Sequence, residues 1–487
     1  MKSLLTIALS AVFLIFSGCV SKPADVKKEE QKAAAPKKAA APKKAAATKK
    51  AAATRKAAAP RKAAVQPKTA VEYKFELKSN KKWLLKVGEE VTFSARLMSR
   101  NNKKAAFTVV KGAKVRCVLV EDGKKTVSKL FVTTDKPMSI TGKTTCPGWI
   151  YARFYLLDQK GKTLFVKDAR GRNRQVMAGI GALAEPEKLK VGKEEPKDFD
   201  AFWKAQRARL NKVPLKAKVT PRKAVRKGFN LYDVQIDCAG GMPVSGYLSI
   251  PVNAKPKSLG AYVTFQGAGV NSSWPIATPG ALSMNINAHG IPNGKPSAYY
   301  ANLFKTTLKS YWHRNINDRE KIYFNGMYLR LMRALDYIKT RPEWNGKVLI
   351  VAGGSQGGGQ AIAAAALDPQ VTLCLAGVAA LSDHSGSFAA RQPGWPRFYS
   401  AKTAKSNPKT VAATAYYDNV FFARRIKCET WLTAGLIDTT CSPAGIYVVY
   451  NNLAAKKKNI DIFPTGNHGG APLNKGYARM RAVLNAR

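Results

Sequence analysis

KVLIVA (residues 347–352), GGSQGGG (353–359) and QAIAAAAL (360–367) follow one another without interruption. The first is a short apolar run, the pattern of a strand buried on both faces of a parallel sheet. The last is Ala-rich, and Ala is the strongest helix former. Between them Gly353-Gly354-Ser355-Gln356-Gly357 has the form G-x-S-x-G. Glycines on either side of the serine let the backbone turn sharply from strand into helix and lift the hydroxyl clear of the chain. Strand, tight turn and helix in that order predict an α/β class protein, and they make Ser355 a candidate nucleophile.

A serine nucleophile needs a base to take its proton and an acid to hold that base in one tautomer. In α/β-hydrolases these follow in the order Ser, Asp or Glu, His. The chain has 4 histidines. His289 and His313 precede Ser355, and His384 follows it too closely. His468 stands in a Gly-rich loop, TGNHGG (465–470), after the strand-like run 460–463. Another strand-like run, 429–434, leads into GLIDTTC (435–441), which puts Asp438 on a loop where the acid belongs. Asp383 and Asp418 come too early in the chain for that role. The expected triad is therefore Ser355, Asp438 and His468.

DFDAFW (198–203), GGSQGG (353–358) and GLIDTTC (435–441) together resemble the acetyl xylan esterase and cephalosporin C deacetylase family of carbohydrate esterases. The resemblance covers about residues 185–487. It implies a three-layer α/β-hydrolase domain, with Ser355, Asp438 and His468 matching the family's triad. It implies a serine carboxylic-ester hydrolase that removes O-acetyl groups from carbohydrate, acetylated xylan or xylo-oligosaccharide, through an acetyl-enzyme and without metal or organic cofactor. The implied oxyanion hole is the N–H of Gln356 and that of Ala268, in YVTFQGA (262–268). There Gln266 stands for the family's His and Ala268 for its Tyr. The family's RGQ motif is absent, NAHG (287–290) lies in its place, and Gly469 rather than Glu follows His468. Gln266 and His289 are accordingly expected beside the substrate. Family members commonly assemble into hexamers, so a homo-oligomer is an expectation too.

The N-terminal part carries a different message. Residues 1–18 combine Lys2, an apolar run over 4–16 and the small pair Ser17-Gly18, the composition of a secretory signal. Cys19 directly after that pair resembles the lipobox of bacterial lipoproteins, which implies acylation of Cys19 and a membrane anchor. Val20 rather than Asp at the next position points to the outer membrane of a Gram-negative-type envelope. Residues 33–62 repeat a six-residue unit, AAAPKK, AAAPKK, AAATKK, AAATRK, AAAPRK. Pro36, Pro42 and Pro60 interrupt any Ala helix and the paired cations repel, so residues 19–70 are expected to be a disordered basic tether. Its composition resembles linker-histone tails. An exported tail meets little DNA, so anionic lipid or glycan is the expected contact rather than nucleic acid. The net charge is +52; residues 22–70 hold 15 basic and 3 acidic side chains and Lys2 adds one more positive charge, which leaves +39 on residues 71–487. An acidic acetylated polysaccharide is therefore among the expected substrates.

Residues 71–184 show short strand-like segments at 72–77, 90–97, 114–120, 129–133, 148–157 and 163–167. This spacing predicts an antiparallel β-sandwich of immunoglobulin-like type, serving as packing, spacer or glycan-binding module. Residues 185–487 are expected to form the catalytic domain, with strands at 232–238, 244–250, 261–265 and 347–352 and a helix at 320–339. The six cysteines other than Cys19 show no CxxC and no zinc-ligand spacing. Cys117 and Cys146 are the pair placed for a disulfide, with free buried thiols the equal alternative. Two further readings are a prolyl-oligopeptidase-like serine peptidase and a tethered glycan-binding protein with an inactive hydrolase domain. The first calls for a β-propeller longer than 71–184. The second gives no reason to keep all three triad residues.

Overall fold

A computed structural model describes residues 71–122, 126–168 and 171–486. The leader, Cys19 and the repeat tether lie outside them. Residues Glu72–Arg487 form a single compact unit. Its largest element is a nine-stranded sheet, in the order Ala217–Arg222, Phe229–Ile236, Val244–Pro251, Ala281–Ile286, Leu259–Phe265, Trp344–Gly354, Leu373–Gly377, Glu429–Gly435, Lys458–Phe463. The first four pair antiparallel and the rest parallel. Parallel strands need helical crossovers, which cover both faces of the sheet.

The nucleophile strand shows how the sequence enforces those layers. Leu349 and Val351 point into the larger core, with Met327, Leu331 and Leu335 of the helix Tyr323–Lys339. Ile350 and Ala352 point the other way, against Leu473, Met480 and Leu484 around the C-terminal helix Asn474–Asn485. Every residue of KVLIVA from Leu349 onward is buried, as its unbroken apolar character predicts. The predicted strands and helix are all present with small changes of boundary. The C-terminal ends of Leu259–Phe265, Trp344–Gly354 and Glu429–Gly435 lie on one edge of the sheet, where loops gather.

The β-rich segment is a sandwich. A four-stranded sheet built around Val91–Arg100 faces a five-stranded one in the order Leu84–Leu85, Met177–Ala184, Gly148–Leu156, Lys114–Glu121, Thr126–Val132. Phe75, Phe93 and Leu97 from one sheet meet Val115, Ile150 and Phe154 from the other in a separate core. Four strands beyond the sequence expectation complete its two sheets, the short Leu84–Leu85 and Thr108–Val109 and the longer Met138–Gly142 and Met177–Ala184. Cys117 and Cys146 are not joined to each other by a disulfide, and burial pushes the Cys117 thiol up to about 12.

Candidate active site

Ser355 sits between the end of its strand and the helix Gln356–Leu367 with φ 58°. A positive φ on a non-glycine residue costs on the order of 1–3 kcal/mol and persists only where the surroundings over-determine it. Here they do. The Ser355 N–H donates to the Gly377 carbonyl at 2.9 Å, and its carbonyl accepts from Gly359 and Ala380. A Cβ on Gly353 would lie 2.2 Å from the Gly357 oxygen, and one on Gly357 would lie 2.2 Å from the Phe265 oxygen. The two outer glycines of the motif are therefore dictated by backbone contact.

His468 Nε2 lies 2.9 Å from Ser355 Oγ, and His468 Nδ1 lies 2.8 Å from Asp438 Oδ2. The carboxylate of Asp438 is fully buried, and its other oxygen accepts the N–H groups of Thr440 and Cys441 at 2.8 and 3.0 Å. With a carboxylate as sole acceptor, Nδ1 must carry the proton, leaving Nε2 free to take one from the serine. The two loops that carry these side chains are tied together. Leu436 N–H donates to Phe463 and Ile437 N–H to Gly466, at 2.9 and 3.0 Å. Three groups drawn from separate parts of the sequence thus stand in a continuous proton-transfer line.

The two expected oxyanion donors have a shared support. Gln356 opens its helix, so its N–H has no intrahelical acceptor. Its side-chain Nε2 donates to the Gly267 carbonyl at 3.3 Å. A trans peptide points its C=O and N–H in opposite directions, so this anchor aims the Ala268 N–H away from the helix. Among the described residues no acceptor takes that N–H. Tyr311, fully buried, donates its hydroxyl to Gln356 Oε1 at 2.6 Å and also lies 3.1 Å from the Ala268 carbonyl. No sequence motif marks Tyr311; it stands in a single 3-10 turn, Tyr311–His313.

Gln266 and His289 do not open onto a pocket as the sequence led one to expect; only 2% and 1% of each is exposed. Gln266 Nε2 donates to Ser272 and its carbonyl accepts from Gln360. His289 Nε2 donates to the Gly269 carbonyl at 3.3 Å while Nδ1 accepts from Tyr323. Each residue gives one side-chain nitrogen to a backbone carbonyl of the 266–272 loop, so both hold that loop in place. Burial, aided by the nearby Arg330, pushes the His289 imidazole down to about 3, so it stays neutral. Asp383 and Asp418 are buried away from the triad. Asp383 pairs with Arg391 at 2.8 Å, and Asp418 accepts the N–H groups of Asp383 and His384.

One donor set among the described residues is close enough to hold a cation: Asp438, Cys441 and His468, with ligand atoms within 4.8 Å of one another. Two of the three are already hydrogen-bonded to each other. The thiol of Cys441 is driven well above its usual range by burial, which keeps it protonated and a poor ligand. The arrangement is that of a proton relay beside a nucleophile.

The sequence model of the acetyl xylan esterase family (AXE1) matches residues 180–481, beginning inside the last strand of the sandwich. Acetyl esterase Axe7A of Xylanibacter ruminicola is 34% identical over 297 residues, 58% of this chain and 66% of that protein. The chain thus spans just under two thirds of the length of that relative. Among solved structures, the acetyl xylan esterase from Paenibacillus sp. R4 superposes with TM-score 0.52 at 28% identity, over 61% of this chain and 98% of its own. Acetyl xylan esterase 1 from Thermoanaerobacterium sp. JW/SL YS485 gives 0.53 at 20% identity, covering 62% and 98%, a likeness of fold.

Proposed function

The chain belongs to the acetyl xylan esterase family, and from that premise we propose that it is a serine esterase removing O-acetyl groups from carbohydrate, with acetylated xylan or xylo-oligosaccharide as substrate. The observation that carries this reading is the line Ser355 Oγ, His468 Nε2, His468 Nδ1, Asp438 Oδ2, with separations of 2.9 and 2.8 Å.

Ser355 Oγ attacks the acetyl carbonyl while His468 Nε2 takes its proton, and Asp438 holds the imidazole in the tautomer that makes this possible. The negative charge that develops on the carbonyl oxygen is received by the N–H groups of Gln356 and Ala268. Each such donor is worth on the order of a hundredfold or more in rate. Collapse of the tetrahedral species expels the sugar oxygen, which takes the proton from His468, and leaves Ser355 acetylated. Water, deprotonated by His468, attacks the acetyl carbonyl and releases acetate, restoring the serine.

The test is acetate release from acetylated xylan, other acetylated glycans and a small acetyl ester, with Ser355→Ala alongside. Glycan deacetylation that vanishes in the variant supports the proposal. Undiminished hydrolysis by Ser355→Ala removes it, and activity on the small ester alone discards xylan.

The signal-like leader and Cys19 support a second proposal, that the protein is displayed on the envelope surface by a lipid anchor. Palmitate labelling that disappears in Cys19→Ala supports it; equal labelling of both forms rules it out.

A further inference from the structure

We propose that the β-sandwich positions the catalytic acid: Trp149, Arg153 and Gly181 grip the loops that carry Asp438 and His468, so the module is part of the esterase machinery and not a spacer. This rests on the triad reading above.

The strands Gly148–Leu156 and Met177–Ala184 are antiparallel neighbours in the five-stranded sheet, with Leu183 opposite Trp149, Gly181 opposite Tyr151 and Gly179 opposite Arg153. Strand alternation sends Ile150, Ala152, Phe154, Ile180 and Ala182 into the sandwich core. The opposite face of the same two strands carries Trp149, Tyr151, Arg153, Gly179, Gly181 and Leu183, and Trp149, Tyr151 and Leu183 belong to the core of the catalytic domain. This face is shaped for one particular segment. Trp149 Nε1 donates to the Leu436 carbonyl at 2.7 Å. The same Arg153 nitrogen, Nη2, donates to the Ile437 carbonyl and to Thr439 Oγ1, bracketing Asp438 on both sides. Tyr151 stacks on Trp149 at 4.3 Å and lies 5.2 Å under the Arg153 guanidinium, which fixes both donors.

The glycines are the complement of these donors. A Cβ at position 181 would fall 2.3 Å from the Leu436 oxygen, and one at 179 would fall 2.8 Å from the Ala152 oxygen of the neighbouring strand and 3.1 Å from Ile437 Cγ2. Only a bare backbone admits the acid loop so close. Gly181 N–H donates in turn to the Pro464 carbonyl at 2.9 Å, at the root of the loop that carries His468. One strand of the module therefore touches both loops whose relative placement sets the acid–base distance. The loops themselves have little secondary structure to hold them. Trp149, Arg153 and Gly181 are positioning residues, acting through the backbone of 436–439 and 464.

The experiment uses the full chain and p-nitrophenyl acetate, a substrate with no sugar to misplace. Arg153→Met keeps the side-chain stem and removes the donors; Trp149→Phe keeps an aromatic ring and removes the N–H. A shift of about 1 Å in a reacting group costs up to roughly a hundredfold. We expect kcat to fall tenfold to a hundredfold in each folded variant with KM little changed, and Arg153→Lys, which can serve one acceptor, to recover part of the loss. Wild-type kcat in folded Arg153→Met and Trp149→Phe, with only a lower Tm, overturns the proposal. If Arg153→Met does not fold, Trp149→Phe decides on its own. Ser355→Ala run in parallel separates the two ideas. Hydrolysis surviving there removes the triad reading, whereas its loss beside unaffected Trp149 and Arg153 variants removes the positioning role alone.

Discussion

The hydroxyl of Tyr311 donates to the side-chain carbonyl of Gln356 at 2.6 Å, and the amide of that same side chain reaches the Gly267 carbonyl at 3.3 Å. One buried tyrosine therefore links Gln356, the residue after Ser355, to the 267–268 loop proposed to supply the second oxyanion donor. Tyr311→Phe is expected to lower kcat on a small acetyl ester about tenfold, since misaimed donors lose transition-state stabilisation without losing substrate. It leaves Gln356 Oε1 buried without a donor, a loss of about 1–3 kcal/mol in urea unfolding.

Two buried aspartates should respond in opposite ways. Asp438→Asn removes the acceptor that fixes the His468 tautomer, and kcat should fall on the order of 10⁴-fold with little change in Tm; the magnitude is the one known for the chymotrypsin-type triad. Asp383→Asn strips the buried Arg391 of its partner, which costs about 3–5 kcal/mol of stability. Its folded fraction should keep kcat within about twofold of wild type. Steady-state kinetics and thermal unfolding on both variants check this.

His289 makes stability depend on pH. Its folded value of about 3 lies below the ordinary histidine value of about 6.5, so the unfolded chain binds the extra proton between them. The stability it contributes is present above pH 6.5 and is lost as pH falls toward 3. Between pH 7 and pH 5 the loss is about 2 kcal/mol. In His289→Gln the difference between urea unfolding at pH 7 and at pH 5 should shrink by that amount. An unchanged difference would show that this imidazole charges without cost.

The glycines of the nucleophile turn are not equivalent. A Cβ at Gly357 would meet the backbone of Phe265 and Gln266, which cannot rotate aside, whereas one at Gly354 finds its nearest atom, the Gly377 oxygen, at 3.9 Å. Gly357→Ala should cost about 2–4 kcal/mol by overpacking. Gly354→Ala should stay within about 0.5 kcal/mol of wild type. Thermal unfolding of the two proteins, compared with wild type, measures the contrast.

Much of this was legible in the chain because the signals are local. An unbroken apolar run, glycines two residues either side of a serine and an Ala-rich segment each state what one stretch of backbone does. The strand Met177–Ala184 was not legible: its sequence, MAGIGALA, has a single β-branched residue, Ile180, and no aromatic, too little to announce a strand. It is a strand because its small residues fit between two cores. Tyr311 was equally silent, since a tyrosine in a short turn has no pattern until Gln356 and Ala268 are beside it. For Gln266 and His289 the sequence carried no sign that their side chains are buried against backbone carbonyls, because which way a polar side chain faces depends on the backbone groups that surround it.

By itself, the sequence determined the α/β architecture and singled out Ser355, Asp438 and His468, which the structure brings together, because turn geometry and hydrophobic period act over a few residues. Only the tertiary structure decided that a strand of the sandwich, Gly148–Leu156, lies against the loop of Asp438. That contact joins positions some 287 residues apart, Trp149 and Leu436. No local rule relates them: the fit of an indole N–H, a guanidinium and two bare glycine backbones to one loop exists only once both sheets have folded.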